Sequence, residues 1–226
     1  MSFMCCVYLP EGIVMAADSR ITQEDTVKKE VDGREYFTKT KYTLSDNGQK
    51  IFLLSKVRCG ISFCGKAFID GMTIADYLRQ FEISQLDETD TVCTVAEKLL
   101  RYYGRSETMF FVAGYLNDEP FVYDISNNKC SRRNIRDESV TYNALWNGKQ
   151  DAVTKLLNAD PVCRINWTCL PLKDGVELAE FLVDLTIKYE RFSSDIQTCG
   201  GDIDVLIMTK DSAFWHRHKL FNCNRK

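Results

Sequence analysis

Ser2-Phe3-Met4-Cys5-Cys6-Val7-Tyr8-Leu9-Pro10-Glu11-Gly12-Ile13-Val14-Met15-Ala16-Ala17-Asp18-Ser19-Arg20 contains two apolar runs, 3–9 and 13–17, joined by a Pro10-Glu11-Gly12 turn. Both runs are unbroken by polar residues and end at turn-forming or charged ones. That pattern predicts a hairpin whose strands are buried on both faces. The stretch closes on three polar side chains, Asp18, Ser19 and Arg20, which mark the end of the second strand.

Outward from this hairpin, residues 23–49 are polar and charged, with turn signals at Gly33 and at Asp46-Asn47-Gly48. Tyr36, Thr38, Thr40 and Tyr42 alternate with Phe37, Lys39 and Lys41, as in an exposed β-hairpin. Residues 51–54 and 59–64 read as strands. The period then changes. Helical spacing runs over 66–82 and again over 91–103, with Gly104 as the stop. Strands return at 108–114, 120–125, 129–136 and 140–145, with Asn127-Asn128 as a hairpin turn. Helices are predicted at 149–157 and 174–192, and a closing hairpin at 203–209 and 213–218. Strands and helices are grouped rather than alternating, which disfavours a parallel doubly wound sheet. The order suits an α+β chain with two antiparallel sheets and a helix pair outside each. No linker divides residues 1–226, so one domain is expected, with 23–49 as a polar insertion.

Composition narrows the function. At 45% hydrophobic and 27% charged residues, the chain is not disordered. Its 29 basic and 32 acidic residues leave a net charge of −3, so no basic surplus points to nucleic acid. No apolar run approaches a bilayer span, and the N-terminus does not read as a secretory signal. Ten cysteines without a signal read as thiols in a cytoplasmic protein, and no CxxC or other metal-ligand spacing appears. No phosphate loop, GxSxG or HExxH motif is present, so neither cofactor nor metal is expected. The only histidines, His216 and His218, alternate on a predicted edge strand and read as a solvated face.

Without a core histidine, one further general base exists: the terminal amine, with an ordinary pKa of roughly 7.7–8.0. It can activate a hydroxyl or thiol on its own residue. Removal of Met1, normal before so small a residue, would leave Ser2 in that place.

The opening stretch resembles the start of mature proteasome β subunits, of the related bacterial ATP-dependent peptidase subunit and of bacterial proteasome homologues. All are N-terminal nucleophile hydrolases. Sixteen positions separate Ser2 from Asp18, the family offset from nucleophile to aspartate; counting from Cys5 or Cys6 breaks the match. Lys50-Ile51-Phe52-Leu53-Leu54 is similar to the segment bearing the family's catalytic lysine. Ile61-Ser62-Phe63-Cys64-Gly65 resembles the strand end whose glycine N–H lines the oxyanion hole. Residues 112–125 and the Gly200-Gly201-Asp202 segment are similar to later family blocks.

The resemblance implies a four-layer αββα sandwich and a serine-type peptidase. Its substrate would be a peptide or unfolded protein. It also implies self-assembly into rings and a possible unfoldase partner. Ser2 would be the nucleophile, Lys50 the cation beside it, Asp18 the partner of Lys50, and Gly65 the oxyanion donor at a helix start. Three departures accompany it. The 20–50 loop is longer than in the family. Asn147 occupies the place of a serine supporting the amine. Before Gly200-Gly201, Cys199 replaces a serine and Ile196 an aspartate, with Asp195 one position early. A non-catalytic subunit of the same fold, or an amidase or transpeptidase using the same nucleophile, stands as the alternative. An Asp18–Lys50 pair of purely structural role stays open too.

Overall fold

The computed structural model describes residues 2–31, 34–69, 71–103, 107–160, 164–194 and 196–221. Its strands are β1 (Phe3–Leu9), β2 (Gly12–Ala17), β3 (Ile21–Val31), β4 (Arg34–Ser45), β5 (Ile51–Leu54), β6 (Cys59–Cys64), β7 (Phe68–Ile69) and β8 (Met72–Thr73). Helices α1 (Ile74–Gln85) and α2 (Val92–Tyr103) follow. Then come β9 (Met109–Leu116), β10 (Glu119–Ser126), β11 (Lys129–Arg132), β12 (Ile135–Arg136), β13 (Ser139–Val140) and β14 (Asn143–Gly148). Helices α3 (Asp151–Asn158) and α4 (Leu172–Arg191) precede the last strands, β15 (Asp204–Met208) and β16 (Ala213–Arg217).

Two five-stranded antiparallel sheets dominate. One has the order β14-β1-β2-β15-β16, the other β11-β10-β9-β6-β5. The double burial predicted for the opening hairpin holds: every residue of β1 and β2 is buried. Alternation assigns the faces. Phe3, Cys5, Val7 and Leu9 join Val153 of α3 and Ala179, Leu182 and Val183 of α4 in one core. Met4, Cys6 and Tyr8 turn the other way, toward Ile51, Cys64, Phe111 and Val122 of the second sheet. That sheet's far face buries Ile61, Phe63, Phe110 and Val112 against Leu78 and Phe81 of α1 and Val95 and Leu99 of α2. Three cores therefore run through the molecule. Each fully buried side chain of the Phe3 or Phe110 kind contributes about 1.5–3 kcal/mol of apolar burial.

The 23–49 excursion is an antiparallel ribbon of β3 and β4, with Ile21 paired to Ser45 and Val31 to Arg34. At the strand rise it is roughly 35 Å long. The side chains of β4 are exposed or half-buried throughout. Its turn at Gly33 lies outside the described residues, as does the helix stop at Gly104.

Several boundaries differ from expectation. The helix expected over 66–82 begins only at Ile74, and a short β7–β8 ribbon precedes it. The Thr73 hydroxyl accepts from Asp76 N at 3.1 Å and caps the helix there. The apolar spacing ran on unbroken through a segment that had no cap to start a helix earlier. The expected 129–136 strand splits into β11 and β12, and the strand expected over 140–145 becomes β13 and β14. The alternation of His216 and His218 predicts one solvated face. His216 is exposed, but His218 is buried. The strand ends at Arg217, and a 3-10 turn at Lys219–Phe221 draws the His218 ring to 4.4 Å from that of Trp215. That burial lowers the His218 pKa. The Asn127-Asn128 turn stands, both residues at positive φ (51° and 59°) between β10 and β11.

Candidate active site

Asp18 follows directly on β2, and its carboxylate is 0% exposed. Oδ1 accepts from Lys50 Nζ at 2.7 Å and from Phe3 N at 2.9 Å. Oδ2 accepts from Gly200 N at 2.9 Å and Arg20 N at 3.1 Å. Three backbone donors and one ammonium thus meet one buried carboxylate, the kind of charge-assisted set that burial requires. Lys50 reaches it from the residue before β5, in the other sheet, and is 3% exposed. The pair therefore bridges the two sheets at one end.

Ser2 precedes β1 and is buried. Its carbonyl accepts from Lys149 N at 2.9 Å, one step past the Phe3–Gly148 pairing. Gly148 is required here: an added Cβ would lie 1.8 Å from Ser2 O, and its φ is +96°. Ser2, Lys50 and Gly65 line one cleft of about 280 Å³, with Phe63, Ala67 and Ile74 on its apolar side. The expected nucleophile, cation and oxyanion donor are thereby brought to one place.

Gly65 differs from expectation in its surroundings. It ends β6 at φ +118°, with Glu107 O 2.9 Å from an ideal Cβ, and no helix begins beside it. Any oxyanion stabilisation from its N–H therefore comes without a helix dipole. Asn147 turns away from the role expected of it. Its Nδ2 donates to Met109 Sδ at 3.1 Å, and its Oδ1 accepts from Gly148 N at 2.7 Å. Asp195 lies outside the described residues. Arg20 forms a two-bond clamp on Asp46, Nε at 2.6 Å and Nη2 at 2.9 Å, fixing the base of the β3–β4 ribbon.

Burial favours the protonated form of the thiols near the site. Burial pushes Cys5 and Cys64 up to about 12, Lys50 partly opposing the rise at Cys64. Cys199 is also pushed up, by burial first and then by Asp18 and Glu190. A thiol held protonated at neutral pH is a poor nucleophile. Among the described residues no cluster of His, Cys, Asp or Glu is placed to hold a metal, and no helix is long and apolar enough to cross a membrane.

Three contacts were not foreseen: Lys149 N to Ser2 O, Gly200 N to Asp18, and Glu190 behind the Gly200 segment. The first two are backbone bonds and leave no side-chain signature. The third had one, since a glutamate in the last turn of a helix opposes its dipole.

No family model matches the chain, and no curated protein matches it. Among solved structures it is similar to the Anbu (Gly-1) mutant from Hyphomicrobium sp. strain MC1, with 16% sequence identity and a TM-score of 0.59 over 97% of this chain and 86% of that one. At that identity the likeness concerns the architecture: the chain shares its fold with that protein.

Proposed function

We propose that the chain is an N-terminal serine hydrolase acting on peptide or amide bonds once Met1 is removed. The observation that carries this is the buried Lys50–Asp18 pair at 2.7 Å, with Lys50 lining the same cleft as Ser2 and Asp18 also holding Phe3 N. Ser2 Oγ attacks the carbonyl carbon, and its proton passes to the Ser2 amine. The amine then protonates the leaving nitrogen as the C–N bond breaks. Water attacks the acyl-serine, the amine takes its proton, and the amine returns that proton to Oγ as the Oγ–C bond breaks to release the acid. The Lys50 side chain beside this end brings a positive charge that disfavours a second one there and so favours the neutral amine. Gly65 N–H meets the oxyanion; losing one such donor typically costs about 10²–10³ in rate.

The same reading takes residues 1–226 as one domain, and the three stacked cores support a four-layer αββα sandwich. It carries with it a peptide or unfolded-protein substrate, assembly into rings, a possible unfoldase partner and a cytoplasmic setting. Transpeptidation, with an amine in place of water, uses the same acyl-enzyme. A second reading, a non-catalytic subunit, is favoured by Asn147, whose bonds go to Met109 and Gly148 and not to Ser2.

Intact mass and a β-lactone or epoxyketone probe separate the two. Expected are loss of Met1 and a label on Ser2, absent from Ser2→Ala and Lys50→Ala. Retained Met1, or a label on Cys5, overturns the proposal.

A further inference from the structure

Glu190 lies in the last turn of α4 and is buried. A carboxylate there opposes the helix dipole, and burial removes its water. It is met by three donors. Oε2 accepts from Thr198 N at 2.8 Å and Cys199 N at 2.6 Å, and Oε1 accepts from Thr198 Oγ1 at 2.8 Å. Gln197 Nε2 donates to Ile187 O at 3.1 Å, one turn earlier on the same helix. Residues 197–199 belong to no helix or strand; these bonds dock them on α4 together with the packing of Cys199 in the core that holds Ala179, Leu182 and Val183.

The next residue meets the site. Gly200 N donates to Asp18 Oδ2, and Gly200 O accepts from Ser19 N, both at 2.9 Å. Asp18 in turn holds Lys50 and Phe3 N. Glu190 touches none of these directly. We infer that Glu190 is a positioning residue: its carboxylate anchors the Thr198–Cys199 backbone so that Gly200 N–H holds Asp18, and through it Lys50, in the orientation that the terminal serine needs. This rests on the proposed function for its catalytic consequence, though not for the anchoring itself.

The test compares Glu190→Ala and Glu190→Gln in two readouts: the rate of β-lactone labelling at Ser2 across pH, and alkylation of Cys199 mapped by mass. Glutamine can place its oxygen against the two N–H groups and turn its amide toward the Thr198 hydroxyl, so the bond set survives without the charge. Glu190→Ala should slow Ser2 labelling about 10²-fold, as a displaced catalytic group does, and move the acid limb of the pH profile upward as Lys50 loses its place. Cys199 should become alkylated while Cys5 and Cys6 stay protected, because only the loop has opened. Glu190→Gln should stay within about threefold of the parent in both.

Labelling and Cys199 protection unchanged in Glu190→Ala overturn the inference. So does an equal loss in Glu190→Gln, which would make the charge and not the anchoring the active feature. If Glu190→Ala unfolds and exposes Cys5 and Cys6, Thr198→Val decides, since it removes only the Oε1 bond; parental behaviour there overturns the inference. A parent unlabelled at Ser2 defeats the proposed function, and Cys199 alkylation still decides the anchoring.

Discussion

Two sets of lysine–carboxylate pairs lie close in sequence and in opposite surroundings. Lys50 and Asp18 have side chains 3% and 0% exposed. On the β3–β4 ribbon, Lys39 and Lys41 share Glu24, each at 3.1 Å, with side-chain exposures of 68%, 40% and 35%. The residue types match and the energetics do not. An exposed pair is screened by water and salt and adds little. A buried pair is costly to assemble and more costly to break, because the survivor is left charged in an apolar place. The ribbon is thus held by its ladder and tolerates change in its charges, whereas the site is committed to all of its donors.

Asp18→Ala should break this contrast most severely. It strands the Lys50 ammonium and costs about 3–5 kcal/mol, read as a lower denaturant midpoint, together with loss of Ser2 labelling. Lys50→Ala should be milder in stability, because Asp18 keeps its three backbone donors. Gly148→Ala should abolish labelling with Lys50 and Asp18 intact, because the new methyl displaces the Ser2 carbonyl; parental labelling would show that this contact is dispensable. Phe3→Ala opens a cavity in the fully buried core and should cost about 3–5 kcal/mol. Phe37→Ala, 62% exposed on the ribbon, should stay within about 0.5 kcal/mol. Equal costs for the two phenylalanines would mean that the ribbon is covered in solution. Last and smallest is Glu24, whose pKa is lowered by its bonds to Lys41 and Lys39. The sign follows from a folded pKa below the unfolded one. The ribbon's ion-pair contribution is present above the ordinary carboxylate range and is lost as pH falls through the lowered value. Ribbon amide protection, taken relative to the intrinsic exchange rate at each pH, should fall over that window at low salt and respond weakly in about 1 M salt, where the Debye length is about 3 Å.

Legibility in the sequence followed the range of the physics involved. The opening hairpin was readable because a strand buried on both faces leaves an unbroken apolar run. The ribbon was readable from polar alternation, and the Asn127-Asn128 turn from the tolerance of asparagine for positive φ. Helix α1 was misplaced at its start because apolar spacing carries no phase marker, and Thr73 became a cap only with its hydrogen-bonding to Asp76 in place. His218 was misread because alternation was continued past the strand end into a turn that local spacing does not announce.

The residue types needed for the proposed chemistry, and the spacing from Ser2 to Asp18 across one hairpin, were determined by the sequence alone, because two antiparallel strands of known length return the chain to its starting point. What tertiary structure decided was which distant groups converge there. Lys50 from the second sheet, Gly65 from the end of β6, Lys149 N on Ser2 O and Gly200 N on Asp18 meet because the sheets face each other and α4 docks the 197–199 segment. Backbone donors and buried carboxylates of that kind acquire a partner only through packing, and no one-dimensional pattern records it.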